Sequence, residues 1–130
     1  MKPIKIKIST NNKKQTAILL CDAKTTSIKF ITNDIIEKTY IAEDFYECLG
    51  KIREEHPEIK FLCKGSKINV RPSSMSSQMS LGIKAYELTL GKASSPRDIV
   101  DIFDYEENNL TNSREEQEAF YIQWCKTPKA

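Results

Sequence analysis

The chain has 130 residues, of which 39% are hydrophobic and 29% are charged, and its formal net charge is +2. This composition is typical of a globular domain rather than a disordered or membrane protein, and no apolar run approaches the roughly 20 residues that a bilayer span needs. The length predicts a single domain over residues 1–130. The N-terminus, MKPIKIKIST, has no continuous apolar core, so we expect no secretory signal and a cytoplasmic location.

The first third of the chain has the two-residue period of β-strands. Ile4, Ile6 and Ile8 alternate with lysines, and a turn at Asn11 and Asn12 follows. An apolar run at 17–21 predicts a central strand, and a third alternating stretch covers 28–32. The short connections predict an antiparallel meander.

The period then changes to that of a helix over 42–55. Phe45, Cys48, Leu49 and Ile52 form one apolar stripe, and Pro57 ends the helix. The stretches 59–63 and 67–70 predict a hairpin around Gly65-Ser66.

The second half of the chain predicts short elements and one longer helix. Residues 73–80 predict a short helix whose two methionines, Met75 and Met79, pack onto the core. Tyr86, Leu88 and Leu90 predict a strand, Ser95-Pro96-Arg97-Asp98 predicts a helix start, and 99–103 fits either a helical turn or a strand. Ser113 and Glu116 form a capping box that opens a C-terminal helix. Together these elements predict an α+β fold, with a mostly antiparallel sheet of about five or six strands, two main helices and short helical turns.

Catalytic and metal-binding signatures are missing from the sequence. Cys21, Cys48, Cys63 and Cys125 are scattered without paired spacing and lie in apolar settings, which favours buried free thiols over a zinc site. His56 is the only histidine, and its position favours a helix-end role over that of a catalytic base. The serines of 73–80 lack the glycine-flanked elbow of hydrolases. We therefore expect no enzyme, no cofactor, no metal and no small-molecule substrate.

Charge is distributed unevenly along the chain. Residues 1–50 carry a net +2, residues 51–94 carry +4, and residues 95–118 carry −6. The acidic stretch fits a solvated surface, but a concentrated negative surface also attracts a basic partner.

The block 61–103, especially VRPSSMSSQMSLGIKAYELTLGK followed by RDIVDIFD, resembles a segment of small single-domain bacterial proteins without known catalytic function. Some of these are similar to the immunity proteins of contact-dependent growth inhibition and related toxin systems. The resemblance covers about a third of the chain. It implies a protein that binds and neutralises a cognate toxin by direct contact. No site residues are carried over, because immunity proteins share no common binding motif.

A basic toxin, with a nuclease as the expected kind, fits the acidic stretch, since nucleases bind a polyanion. The predicted partner contacts are five carboxylates and one aromatic anchor: Asp98, Asp101, Asp104, Tyr105, Glu106 and Glu107. Two alternatives stay open. One is a nucleic-acid-binding module that uses basic residues of 1–94 (Lys5, Lys7, Lys13, Lys14, Lys60, Lys64, Lys67 and Arg71), and the other is an enzyme that uses His56 or the serines of 73–80. A membrane partner is not expected.

Overall fold

The computed structural model describes residues 2–33 and 36–130; Met1, Asp34 and Ile35, which the predicted domain includes, lie outside them. The described residues form one α+β domain, as predicted, with two antiparallel sheets and three α-helices. The strands are β1 (Lys2–Thr10), β2 (Lys13–Asp22), β3 (Ser27–Ile31), β4 (Glu37–Ile41), β5 (Lys60–Leu62), β6 (Val70–Arg71), β7 (Lys84–Glu87) and β8 (Ile99–Asp101). The helices are α1 (Phe45–Glu55), α2 (Ser74–Ser80) and α3 (Arg114–Lys126).

The larger sheet has the order β4-β3-β2-β1-β5, so the predicted meander is confirmed and β2 is its central strand. Asn11 and Asn12 both have positive φ angles, 53° and 64°, which is the conformation that a tight hairpin turn requires. Ile6 and Ile8 point into the core, whereas Lys5 and Lys7 point away from it. The alternating pattern therefore set the register of this sheet.

Helix α1 packs on the inner face of the larger sheet through the predicted apolar stripe. Phe45, Cys48, Leu49 and Ile52 are all at most 2% exposed. The helix begins at Phe45, three residues later than predicted, because the side chain of Asp44 caps it by accepting a hydrogen bond from the N–H of Glu47.

The predicted hairpin around Gly65-Ser66 is wrong. Strand β5 pairs with β1 in the larger sheet, and β6 pairs with β7 in the smaller sheet of order β6-β7-β8. Between them, Lys64–Ser66 forms a buried 3-10 helix. A Cβ at Gly65 would lie 2.8 Å from Leu49 and 2.9 Å from Ile102, so this glycine permits close packing rather than a hairpin turn.

Helix α2 forms as predicted, but its methionines do not pack onto the core. Met75 is 73% exposed and Met79 is 82% exposed, so that part of the prediction is wrong. The predicted strand at 86–90 is also shifted: β7 ends at Glu87, and Leu90 is largely exposed. The prediction placed Tyr86 on the inward face of the strand, but Ala85 is the buried residue of β7.

The C-terminal elements follow the capping signals. Ser95 and Asp98 form a capping box on the 3-10 helix Pro96–Asp98, which gives way to strand β8 after one turn. Ser113 caps α3 by accepting from the N–H of Glu116, as predicted. Among the described residues, no helix has the length and apolar character needed to cross a membrane.

Candidate partner-binding surfaces

The predicted contact residues all lie on one stretch, residues 98–107, which we call the acidic segment. Two of its carboxylates are engaged by nearby backbone. Asp98 accepts from the N–H of Ser95 at 2.9 Å, and Asp101 accepts from the N–H of Phe103 at 2.8 Å. Asp101 also lies 3.7 Å from the Nζ of Lys84. Both carboxylates therefore stabilise local structure.

Glu106 is the most enclosed carboxylate of the segment. Its Oε1 accepts from Lys67 at 3.1 Å and from Lys64 at 3.3 Å, and its Oε2 accepts from the N–H of Asn108 at 3.0 Å. The N–H of Asn108 and then Lys67 lower the pKa of Glu106 to about 2, although burial opposes this shift. Only 13% of the Glu106 side chain and 9% of the Lys67 side chain are exposed, so a partner would have limited access to this pair.

Tyr105 and Glu107 contact Lys14, a residue of β2 that is distant in sequence. The Nζ of Lys14 donates to the Tyr105 hydroxyl at 3.0 Å and to Glu107 at 3.3 Å, and the same hydroxyl donates to Glu107. These bonds lower the pKa of Glu107. Tyr105 is still 47% exposed, and Asp104 is exposed with no side-chain partner within the described residues. Asp104, Tyr105 and Glu107 are therefore the accessible members of the predicted set, although Glu107 is paired with Lys14.

Most of the charge of the acidic segment is compensated. Its five carboxylates have four lysines beside them, Lys14, Lys64, Lys67 and Lys84, but Lys64 and Lys67 also pair with Glu87, so six carboxylates and four lysines leave an excess of two negative charges. Whether this segment contacts a partner stays a prediction.

A second acidic surface, which sequence reasoning missed, lies in an open cleft of about 1130 Å³ between the three helices. We call it the interhelical cleft. Its ionic lining consists of six carboxylates and two arginines: Glu43, Asp44, Glu47, Glu54, Glu115, Glu118, Arg71 and Arg114. The sequence carries no compact signal for it, because α1, α2, α3 and strands β6 and β7 each contribute a few residues.

Asp44 joins the start of α1 to the middle of α2 at one end of the cleft. While its Oδ1 caps α1, its Oδ2 accepts a hydrogen bond from the Ser77 hydroxyl of α2 at 2.5 Å. Gly82 makes this approach possible: its φ is +76°, and a Cβ there would lie 2.8 Å from the Asp44 carboxyl carbon. Asp44 is therefore a structural member of the lining.

Helix α3 is fixed to the domain by a buried polar cluster. Gln117 is 3% exposed, and its Oε1 accepts from the Nη2 of Arg53 at 2.6 Å. Its Nε2 donates to the carbonyls of Gly65 and Lys67 at 3.0 and 2.8 Å. Arg53 is fully buried, and burial lowers its pKa. The bonds to Gln117 form only while α3 stays in place, so the cluster positions one wall of the cleft, although the buried Arg53 Nε has no hydrogen-bond partner within the described residues.

The two arginines neutralise part of the cleft. Arg114 lies 2.9 Å from Glu54 and 3.9 Å from Glu47, and Arg71 pairs with Glu118. Glu43 and Glu115 have no ion-pair partner within residues 2–33 and 36–130. Six carboxylates and two guanidinium groups leave an excess of four negative charges on the lining.

Aromatic rings line the same cleft. The guanidinium carbon of Arg71 lies 4.1 Å from the centre of the Tyr121 ring, which stacks on Trp124 at 6.2 Å. Tyr46 is fixed by a 2.8 Å bond from its hydroxyl to the carbonyl of Val70, and burial raises its pKa to about 12. Rings of this kind bind both the apolar part and the charge of a basic side chain.

His56 and the thiols have structural positions. His56 caps the C-terminal end of α1, as predicted, and its Nε2 lies 3.2 Å from the Tyr40 hydroxyl. Cys21 and Cys48 are buried, and burial raises the pKa of both thiols to about 11. Cys63 is also buried, but Cys125 is exposed on α3, so the expectation of four buried thiols is wrong there.

The serines of α2 bond to one another and to Asp44, and the described part of the chain places no three His, Cys, Asp or Glu side chains so that they could hold a metal ion.

The basic residues proposed for nucleic acid do not form one surface. Lys64 and Lys67 pair with Glu106, and Arg71 lies in the interhelical cleft. By strand alternation, Lys5, Lys7 and Lys14 point outward from the larger sheet, on the face opposite α1. Lys60 of β5 and Lys29 of β3 point the same way, although Lys29 is paired with Glu37 at 2.5 Å.

Comparison of the chain with protein-family models and with curated proteins finds no match.

Proposed function

We propose that this chain is an immunity protein that binds a basic toxin, a nuclease in the expected case, and neutralises it by direct contact. The observation that carries the proposal is the interhelical cleft, whose lining has an excess of four negative charges. A surface of this kind attracts a cationic protein over several ångströms and raises the rate of its association. Since a nuclease must present a basic surface to its substrate, an acidic inhibitor competes for that same surface.

The fold also supports a role in binding. The buried core holds α1, the polar cluster around Gln117 holds α3, and the hydrogen bond from Ser77 to Asp44 holds α2, so the cleft is preformed. Preformed surfaces bind with less loss of conformational entropy than surfaces that must first become ordered. The serines, tyrosines and tryptophan of the lining can form hydrogen bonds and aromatic contacts around the charged groups.

The test is co-expression with the product of the adjacent upstream gene, followed by growth measurement and affinity purification. We expect a one-to-one complex and restored growth. Reversal of two unpaired charges, Glu43→Lys with Glu115→Lys, should weaken the complex by at least about tenfold, or ~1.4 kcal/mol. The matched control reverses two exposed charges outside the cleft, Glu58→Lys with Glu116→Lys. Failure of the wild-type chain to bind or protect would contradict the proposal.

A nucleic-acid-binding module is the second candidate, and the outward lysines of the larger sheet are the observation that favours it. Such a module should be retained on single-stranded DNA in a strongly salt-dependent way, and Lys5→Glu with Lys7→Glu should abolish that retention. The immunity proposal expects weak retention, because the cleft repels phosphate.

A further inference from the structure

We infer that the interhelical cleft receives a protruding segment of the toxin in which a basic side chain lies next to an apolar one. This inference rests on the proposed function and specifies its binding site. At about 1130 Å³ the cleft is at the upper end of the size usual for small-molecule pockets, about 300–1,000 Å³, and it is open rather than enclosed. Its size and shape therefore suit a loop or helix end of a protein better than a small cation.

The charge of the occupant follows from the carboxylates that remain unpaired. Glu43 precedes Asp44, the N-cap residue of α1, and Glu115 lies in the first turn of α3. Negative charge near a helix N-terminus is stabilised by the helix dipole, so the fold tolerates both carboxylates without a cation. They are free to pair with an incoming lysine or arginine. A nucleic acid or an anionic membrane would be repelled by the same groups.

The apolar part of the occupant follows from α2. Ser74, Ser77 and Gln78 form the face of α2 that lines the cleft, whereas Met75 and Met79 lie outside the lining, on the neighbouring stripe of the helix, where a segment that extends over the rim of the cleft would contact them. Both methionines are more than 70% exposed, and α2 has no buried residue. Flexible, polarisable methionine side chains adapt to apolar groups of varied shape, as adaptable binding surfaces require.

Arg71 indicates how a basic side chain can be held here. It lies over the Tyr121 ring and pairs with Glu118, so a ring face and a carboxylate act on one guanidinium group. Glu115, Tyr121 and Trp124 line the cleft from the same helix, but Arg71 lies over the Tyr121 ring and the Nζ of Lys129 lies 4.0 Å from the centre of the Trp124 ring. A toxin arginine would therefore meet a ring and a carboxylate together by displacing one of these cations. Fixed cation–π and carboxylate contacts favour arginine over lysine.

A short synthetic peptide of alternating arginine and leucine is the probe, and a peptide of alternating glutamate and leucine is its control. Calorimetry measures the affinity, and amide chemical shifts locate the site. We expect saturable binding of the basic peptide, with shifts at the start of α1, in α2 and in α3. Glu43→Gln with Glu115→Gln should weaken it about tenfold, whereas Glu58→Gln with Glu116→Gln should change it by less than about twofold. Met75→Gln with Met79→Gln should weaken it several-fold without unfolding the chain.

Three results would overturn the inference. They are equal losses of peptide affinity in the two charge variants, amide chemical-shift changes confined to the acidic segment or the sheet, or no saturable binding of the peptide. Self-association that the cleft variants abolish would also overturn it, because the occupant would then be a second copy of the chain. A toxin complex that survives the cleft variants contradicts the inference and leaves the proposed function standing. Peptide binding in the cleft by a chain that fails to neutralise the toxin contradicts the proposed function instead.

Discussion

The acidic segment and the interhelical cleft hold five and six carboxylates, but they differ in how the chain compensates them. Four lysines lie beside the segment, and its most enclosed carboxylate, Glu106, is held by two of them. In the cleft two arginines oppose six carboxylates, and one further cation, Lys129, lies over the Trp124 ring of the lining. The comparison teaches that the charge available to a partner depends on what folding leaves unpaired, rather than on how closely acids follow one another along the chain.

Loss of the cleft wall should have the largest effect on stability. Gln117→Ala leaves Arg53 Nη2 and two buried carbonyls without partners, so we expect the free energy of unfolding to fall by about 3 kcal/mol. Urea denaturation measures it. Gln123→Ala, at an exposed position of the same helix, should stay within about 0.5 kcal/mol. Equal effects would mean that the polar cluster does not fix α3.

Within the acidic segment, the neighbouring residues Glu106 and Glu107 should contribute differently to the stability of the fold. Glu106→Ala leaves the largely enclosed Lys67 with Glu87, at 3.5 Å, as its remaining carboxylate. We expect a loss of about 2 kcal/mol, less than for a fully buried pair because 13% of Glu106 is exposed. Glu107→Ala breaks an exposed pair with Lys14 and should cost less than about 1 kcal/mol. Urea midpoints of the two variants provide the measurement. A larger loss for Glu107→Ala would contradict the structural role of Glu106.

The contribution of Glu106 should depend on pH in the acid range. Its folded pKa of about 2 lies below the ordinary value of 4.5, so the ionised form is the one that the fold stabilises. The stabilisation is complete above pH 4.5 and is lost as the pH falls toward 2. The difference in stability between wild type and Glu106→Gln should therefore shrink over this interval. A difference that stays constant would show that Glu106 does not titrate with the fold.

The smallest effect on stability is expected at Gly50 of α1. A Cβ at this position would overlap the Cδ of Arg114, whose flexible side chain can move away. The gain in helix propensity, about 1 kcal/mol, should be largely cancelled by the loss of the Arg114 pairs with Glu47 and Glu54. Gly50→Ala should therefore leave stability nearly unchanged but strengthen binding of the arginine–leucine peptide. Weaker binding would mean that Arg114 does not compete with the occupant.

The local elements of this fold were predictable where one pattern determined them. The alternation of Ile4, Ile6 and Ile8, the stripe of α1 and the cap at Ser113 were all confirmed. The hairpin at Gly65 failed because glycine in a turn and glycine at a close contact look the same in a sequence. The prediction that Met75 and Met79 pack onto the core was wrong because helical spacing shows that two side chains share a face, but not what lies opposite that face.

Which acidic residues are paired with a cation could not be predicted from the sequence, for a different reason. Lys14 reaches Glu107 across 93 positions, and Lys67 reaches Glu106 across 39, so no local window contains both partners. The cleft joins side chains from five elements, and each contributes too few residues to form a motif. Such surfaces are defined by tertiary packing, and a charge run indicates only that carboxylates exist.

The central claim, that uncompensated negative charge lies in the cleft rather than in the acidic segment, can be tested without any partner. The measurement is the ratio of two paramagnetic relaxation rates at each amide proton, one caused by a cationic nitroxide and the other by a neutral nitroxide of the same size. This ratio reports the local electrostatic potential. We predict that this ratio is higher at the starts of α1 and α3 and in α2 than at residues 104–107. A higher ratio at residues 104–107 would contradict the account.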